Sequence, residues 1–192
     1  MARTPSIMLD LGTEAPNFSL PDTEGSLFRL ESVKGKQPFL VLFICNHCPY
    51  VKHIRKELAA LGNEYQMKGI AIIAINSNDF LSYPEDSPEN MVQEKKEIGY
   101  LFPYLIDESQ EVAKNYRAAC TPDFFLFDRQ GKLFYRGQFD DSRPGNGISV
   151  TGRDIRSAME LVLKNGKSPL EQKPSLGCNI KWKTGNAPSY FV

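Results

Sequence analysis

An α/β sandwich built on a mixed β-sheet is the fold this chain predicts, and three observations predict it. Two apolar runs, PFLVLFI at 38–44 and IAIIAI at 70–75, have the length and composition of strands buried on both faces. Between them Val51, Ile54, Leu58 and Leu61 recur at helical spacing. A strand, a helix and a strand in that order make a right-handed parallel crossover. Further on, DFFLFD and KLFYRGQFD flank Arg129-Gln130-Gly131, the pattern of an antiparallel hairpin.

The other elements follow in order. The chain up to about Ala15 reads as an extended lead-in. FSLPDTEGSLFRL reads as two short strands around an Asp-Thr-Glu-Gly turn. Pro49 suits the first position of the helix that carries Val51, because that position needs no N–H. The helix is expected to run to Met67 and to end at Lys68-Gly69. NSNDFLSYPEDSPEN is longer than most connections, and loops of that length often carry function. Ser87 caps a helix that starts at Pro88 and ends at Ile98. YLFPYLID is a short extended piece. SQEVAKNYRAA is a helix with Ser109 as its cap. GRDIRSAMELVLKNG is an amphipathic helix ended by Gly166. The tail, 167–192, is rich in Pro, Lys and Ser and is expected to pack over the surface without regular structure. The division expected is one domain, 1–192, with a core at about 16–166.

A chain of 192 residues buries enough apolar surface to fold without a disulfide or metal staple. Lysine plus arginine equals aspartate plus glutamate, 23 each, so no charge excess points to nucleic acid or a membrane surface. No apolar run approaches membrane-spanning length. MARTPSIMLDLGTEAPNFSL has no apolar segment of the secretory kind, so the expected compartment is the cytoplasm. Thiols stay reduced there, and a C-x-x-C is more often catalytic or metal-binding than structural.

Cys45 and Cys48 form such a C-x-x-C at the end of the first apolar run, with Pro49 next. Thr121-Pro122 precedes a later apolar run. This arrangement resembles the thioredoxin fold, a three-layer sandwich. APNFSLPDTEG resembles the opening pattern A-P-x-F-x-L-x-D-x-x-G of the redoxin and alkyl hydroperoxide reductase/thiol-specific antioxidant superfamily. NHCPYVKH, the NSND…YPEDS loop, CTPDFFLFD, Asp140-Asp141 and SLGCNIKW resemble a narrower group, the peroxiredoxin-like thioredoxin-family proteins. The resemblance covers nearly the whole chain.

The chemistry implied is that of a thiolate. A helix N-terminus carries unpaired N–H groups and a positive partial charge, which favour the anion. Matching PFLVLFI to the thioredoxin strand puts Cys48 at the nucleophilic position and Val51 where a resolving cysteine would stand. Cys45, three residues upstream, becomes a candidate partner. Matching Cys48 to the attacking cysteine of P-x-x-x-T-x-x-C, the peroxiredoxin pattern, puts Cys45 at the threonine and Val41 at the proline. The peroxide-binding arginine would fall near Pro122. Both peroxide-activating groups are missing, so thiol–disulfide exchange ranks above peroxide reduction.

The resemblance also implies that Pro122 corresponds to the thioredoxin cis-proline, with Thr121 offering its backbone to an extended substrate as one added strand. His47 and Pro49 would shape that surface. The strand ends should share one rim, so that Asp79, Asp140, Asp141 and Arg143 border Cys48. They would hold a proton or orient substrate there, unless they are only turn and cap residues. His53 reads as a partly exposed helix residue. Cys120 reads as a small buried residue or a resolving thiol. Cys178 lies in a tail able to move, either as a resolving thiol or within an anchor packed through Ile180 and Trp182. A zinc set of Cys45, Cys48, Cys178 and His53 lacks the second close pair of a zinc knuckle, so no metal is expected. No organic cofactor is implied either.

The reading is a thiol–disulfide oxidoreductase with Cys48 as nucleophile and Cys45 as its first candidate partner. Its substrate would be a disulfide-containing protein or a small thiol compound, and its electrons would come from a dithiol donor. A thiol peroxidase and a non-catalytic redoxin-fold binding module are the alternatives.

Overall fold

The structure is a computed structural model that describes residues 3–169 and 171–191. Residues 1, 2, 170 and 192, the ends of the expected lead-in and part of the tail, lie outside it. Among the described residues no helix is long and apolar enough to cross a membrane.

The apolar run PFLVLFI forms β4 (Phe39–Phe43), buried at every position, and IAIIAI forms β5 (Ala71–Asn76). They pair in parallel, Phe39 opposite Ala71 through Phe43 opposite Ile75. The connecting helix α1 runs Pro49–Met67, with Cys48 as its N-cap and Pro49 in its first turn. β6 (Tyr104–Ile106) adds in parallel to β5. The later hairpin is β8 (Asp123–Phe127) and β9 (Leu133–Arg136), with β8 antiparallel to β4. The central sheet therefore has the order β6-β5-β4-β8-β9, a mixed sheet as expected.

Alternation along these strands makes two cores. Leu40, Leu42, Ile72, Ala74, Phe124 and Leu126 face one side. They meet α1, α2 (Pro88–Ile98) and α4 (Arg153–Leu163) through Leu58, Met91 and Ile155. Phe39, Val41, Phe43, Ile73, Phe125 and Phe127 face the other side. There they meet α3 (Glu111–Asn115) and the N-terminal hairpin β2 (Ser19–Pro21) and β3 (Leu27–Arg29). Period-two alternation with both faces covered produces the three-layer sandwich.

Two expectations need correction. α3 is shorter than SQEVAKNYRAA, and its N-cap position is Gln110 rather than Ser109. Asp107 takes the capping work, accepting from the Val112 N–H at 3.4 Å and the Ala113 N–H at 2.9 Å. Ser109 Oγ receives the Glu111 N–H instead, at 3.3 Å. The tail is the larger correction, because it is not irregular throughout. Leu176–Asn179 forms β10, the middle of a second sheet of order β1-β10-β7, with β1 at Arg3–Pro5 and β7 at Cys120–Thr121. Pairing on both sides satisfies the backbone that the tail would otherwise leave to water.

Candidate active site

Cys48 stands where β4 hands the chain to α1. Its side chain has no exposed surface. In its thiol form it donates to the Thr121 carbonyl at 3.1 Å. Cys45, at the strand end, has its Sγ 3.4 Å from Thr121 Oγ1. The Thr121-Pro122 peptide is cis. Cys178 arrives on β10, directly opposite Thr121 in the β10–β7 ladder, and its thiol hydrogen-bonds the Cys48 sulfur. Three sulfurs from two parts of the chain therefore gather at one threonine, with Cys48 hydrogen-bonded to both of the others.

The electrostatics separate the three. Cys48 is held far below the ordinary thiol range, first by the Cys178 S–H and then by the Cys45 S–H. The Val51 N–H and the Thr121 hydroxyl add to this, and burial opposes it. Cys48 makes no ordinary side-chain capping bond to α1. Its anion rests mainly on sulfur donors, with the helix start as support. The Thr121 carbonyl is a partner only for the thiol, so ionisation exchanges that bond for the two S–H donors. Cys178 is pushed up, chiefly by its bond to Cys48 and then by burial. Cys45 is pushed up by burial first, then by Cys48 and Asp86. One sulfur carries the charge and two carry protons.

Asp86 holds the segment that bears Cys45 and Cys48. It is fully buried and accepts the Asn46 N–H at 2.8 Å and the His47 N–H at 3.3 Å on one oxygen. The other oxygen takes the Asn78 amide at 2.7 Å and lies 2.7 Å from His47 Nδ1. The His47 ring stacks on Tyr83, 5.3 Å between centroids. Asn46 reaches the same loop through the Glu85 carbonyl, at 3.0 Å, and accepts from Tyr104. The long polar connection is thus a clasp over the segment 45–48. Asp86 is the site residue that sequence reasoning missed. The one available signal was the unusual length of its loop.

The remaining candidates divide. His47 and Pro49 form the part of the site that reaches the surface, His47 partly and Pro49 openly. Cys120 is buried, its thiol directed 3.6 Å to the Pro122 carbonyl and pushed up by burial. His53 lines a narrow cleft with Tyr50, Pro122, Arg143, Ser175 and Leu176. Asp140 accepts the backbone N–H groups of Ser142, Thr151 and Gly152, so it shapes a turn. Asp141 pairs with Arg153 and Lys173. Arg143 donates to the carbonyls of Asp140 and Ser142 and to Gln138 Oε1. Asp79 accepts from Ser82 at 2.7 Å. These four make turn and surface contacts, the plainer of the two expectations.

Cys45, His47 and Asp86 bring possible metal ligands within 4.8 Å of one another. Both Asp86 oxygens already accept hydrogen bonds, and His47 Nδ1 is spent on one of them. The set works as a hydrogen-bonded lock, and a metal would have to break it.

Residues 11–136 match the AhpC/TSA family. Thiol-disulfide oxidoreductase ResA from Bacillus thuringiensis subsp. konkukian is 32% identical over 127 residues, covering 65% of this chain and 68% of that protein. A crystal structure of an uncharacterized conserved protein from Geobacillus kaustophilus has TM-score 0.93 and 56% identity, covering 95% of this chain and 97% of that one. A putative thiol:disulfide interchange protein DsbE from Chlorobium tepidum has TM-score 0.63 and 20% identity, covering 81% and 99%, a likeness of fold. The expected thioredoxin-like fold is borne out, and the chain belongs to the AhpC/TSA family of thioredoxin-fold redoxins.

Proposed function

We propose that this protein is a thiol–disulfide oxidoreductase in which Cys48 attacks a substrate disulfide as a thiolate. The observation that carries the reading is the Cys48 sulfur, placed at the start of α1 and hydrogen-bonded by two other thiols. The oxidoreductase class agrees with the activity named for the ResA relatives. The attack forms a mixed disulfide and expels one thiolate. A second enzyme thiol then attacks Cys48, releases the product and leaves an enzyme disulfide. An external dithiol returns the two electrons.

Peroxide reduction ranks below this because of the neighbours of Cys48. The threonine position of the peroxidatic pattern holds Cys45. Arg143, which lines the cleft beside Pro122, spends its guanidinium on two backbone carbonyls and Gln138. The proposed setting is the cytoplasm, where a reducing thiol pool would recharge the enzyme, and cell fractionation checks it.

Purified protein should reduce a small disulfide in a saturable reaction driven by a dithiol. Hydrogen peroxide should oxidise it no faster than free cysteine. Fast, saturable peroxide oxidation would replace this reading with a thiol peroxidase. Exchange no faster than that of a free thiol would leave only a binding module.

A further inference from the structure

The edge of the Thr121-Pro122 segment, where an extended substrate would add as a strand, is already filled. β10 pairs there antiparallel, Cys178 opposite Thr121 and Asn179 opposite Cys120. β1 closes its other side, with Arg3 opposite Cys178. The approach is very close. A methyl group on Gly177 would overlap the Thr121 carbonyl, so only glycine lets the strand lie against that peptide. Both flanks of β10 are fastened. Ser175 Oγ donates to the Pro122 carbonyl at 2.7 Å, and the Lys181 N–H donates to Asn78 Oδ1 at 2.8 Å. The Lys181 carbonyl accepts from Asp79 N at 2.8 Å and from Gln110 at 2.9 Å. The chain has built its own tail into the substrate position and presents a cysteine there.

We propose that Cys178, carried on this internal substrate-like strand, is the thiol that resolves Cys48. The inference rests on Cys48 being the nucleophile. Geometry favours Cys178 over Cys45. Cys45 and Cys48 share one short segment whose backbone Asp86 holds at Asn46 and Asn46's neighbour His47. Closing that pair means distorting a locked turn. Both thiols touch Cys48, but Cys178 comes from a separate strand paired opposite Thr121, so its bond to Cys48 does not have to distort that turn.

The step balances. The Cys48 thiolate attacks a disulfide RSSR′, forming the Cys48–SR bond and breaking the S–S bond, and R′S⁻ leaves. The Cys178 proton passes to R′S⁻ where that thiolate is as basic as an alkyl thiolate, and to water where, as for an aromatic thiolate, it is not. The Cys178 thiolate attacks Cys48 Sγ, forming the Cys48–Cys178 bond and expelling RS⁻, which takes a proton from water. Two enzyme thiols are oxidised and one disulfide is reduced. An external dithiol reverses the enzyme's oxidation and becomes a disulfide.

The test uses full-length reduced protein and one equivalent of Ellman's reagent, an aromatic disulfide. Peptide mapping should find Cys48 joined to Cys178, with Cys45 and Cys120 still thiols. Cys178→Ser should slow release of the second aromatic thiolate at least about tenfold, whereas Cys45→Ser, which removes one donor to the Cys48 anion, should slow the first release more than the second. Gly177→Ala keeps every thiol but displaces the strand. It should slow the second release as Cys178→Ser does and shift the pairing to Cys45–Cys48. Dominant Cys45–Cys48 pairing in the unaltered protein would overturn the inference and leave the oxidoreductase reading intact, as would a Gly177→Ala variant that behaves like the parent. Undiminished first-step release from Cys48→Ser would overturn the oxidoreductase reading itself.

Discussion

Cys48→Ser should reduce disulfide-reductase turnover by more than about 1,000-fold, since removal of an attacking nucleophile costs orders of magnitude in rate. The loss of turnover should far exceed what any loss of folded protein explains. Serine is close to cysteine in size, and its hydroxyl can still donate to the Thr121 carbonyl that the thiol meets at 3.1 Å. A serine hydroxyl does not ionise near neutral pH, so the two S–H donors of Cys45 and Cys178 would face a neutral oxygen instead of an anion. Because a thiolate favoured in the folded state stabilises it near neutral pH, the substitution should also cost about 2 kcal/mol or more of stability at about pH 7, and less as pH falls through the folded-state value. Steady-state reduction of a small disulfide checks the rate, and thermal unfolding checks the fold. Retained activity in a folded variant would remove Cys48 from the mechanism.

Asp86→Ala should cost about 3–5 kcal/mol of stability, in the range for breaking a buried, charged hydrogen-bonding partner. The substitution strands the Asn46 and His47 N–H groups, the Asn78 amide and the His47 ring at once. Each buried donor left unpaired costs roughly 1–3 kcal/mol. The loop around Asp86 also holds the tail, through Asn78 and Asp79. Turnover should therefore fall with stability, as the segment 45–48 loosens at one end and β10 at the other. Asp86→Asn keeps an acceptor for the two backbone N–H groups, so it should cost about half as much. Chemical denaturation with activity assays measures both. An Asp86→Ala variant within about 0.5 kcal/mol of the parent, the size of ordinary surface changes, would show that the loop is not a lock.

What the sequence made legible was what local pattern encodes. β4 and β5 are runs of large apolar residues, and α1 has apolar positions at helical spacing, so each announces itself within its own window. Pro49 marked the helix start and thereby placed Cys48 at its N-cap. β10 was hidden because Leu-Gly-Cys-Asn is short and lies in a stretch rich in proline, lysine and serine. It is a strand because β1 lies on one side and β7 on the other, at separations of more than 50 residues. Alternation of Leu176, Cys178 and Ile180 was the signal present, and Gly177 was the residue that permits the close approach. Ile180 does anchor the tail in the core, as one of the two sequence readings held, and Cys178 reaches Cys48 as the other held. Asp86 was hidden for a related reason. Its partners Asn46 and His47 lie about 40 residues upstream, and no periodicity links a polar loop to a strand end. Asp140 and Asp141 were easier to see as an adjacent pair, yet they serve a turn and surface ion pairs.

The central claim is that one sulfur of the cluster is an anion under ordinary conditions. The ultraviolet absorbance of thiolate, followed against pH, tests it without asking a reagent to reach a buried atom. A lowered Cys48 means that the thiolate persists as pH falls below about 8.5, the usual thiol value. The raised Cys45, Cys120 and Cys178 contribute no thiolate near neutrality. The parent protein should show one thiolate's absorbance at pH 7 that survives to about pH 6, and Cys48→Ser should lack it. Absorbance that appears only near pH 8.5–9, about where free thiols ionise, or that remains in Cys48→Ser, would contradict the account.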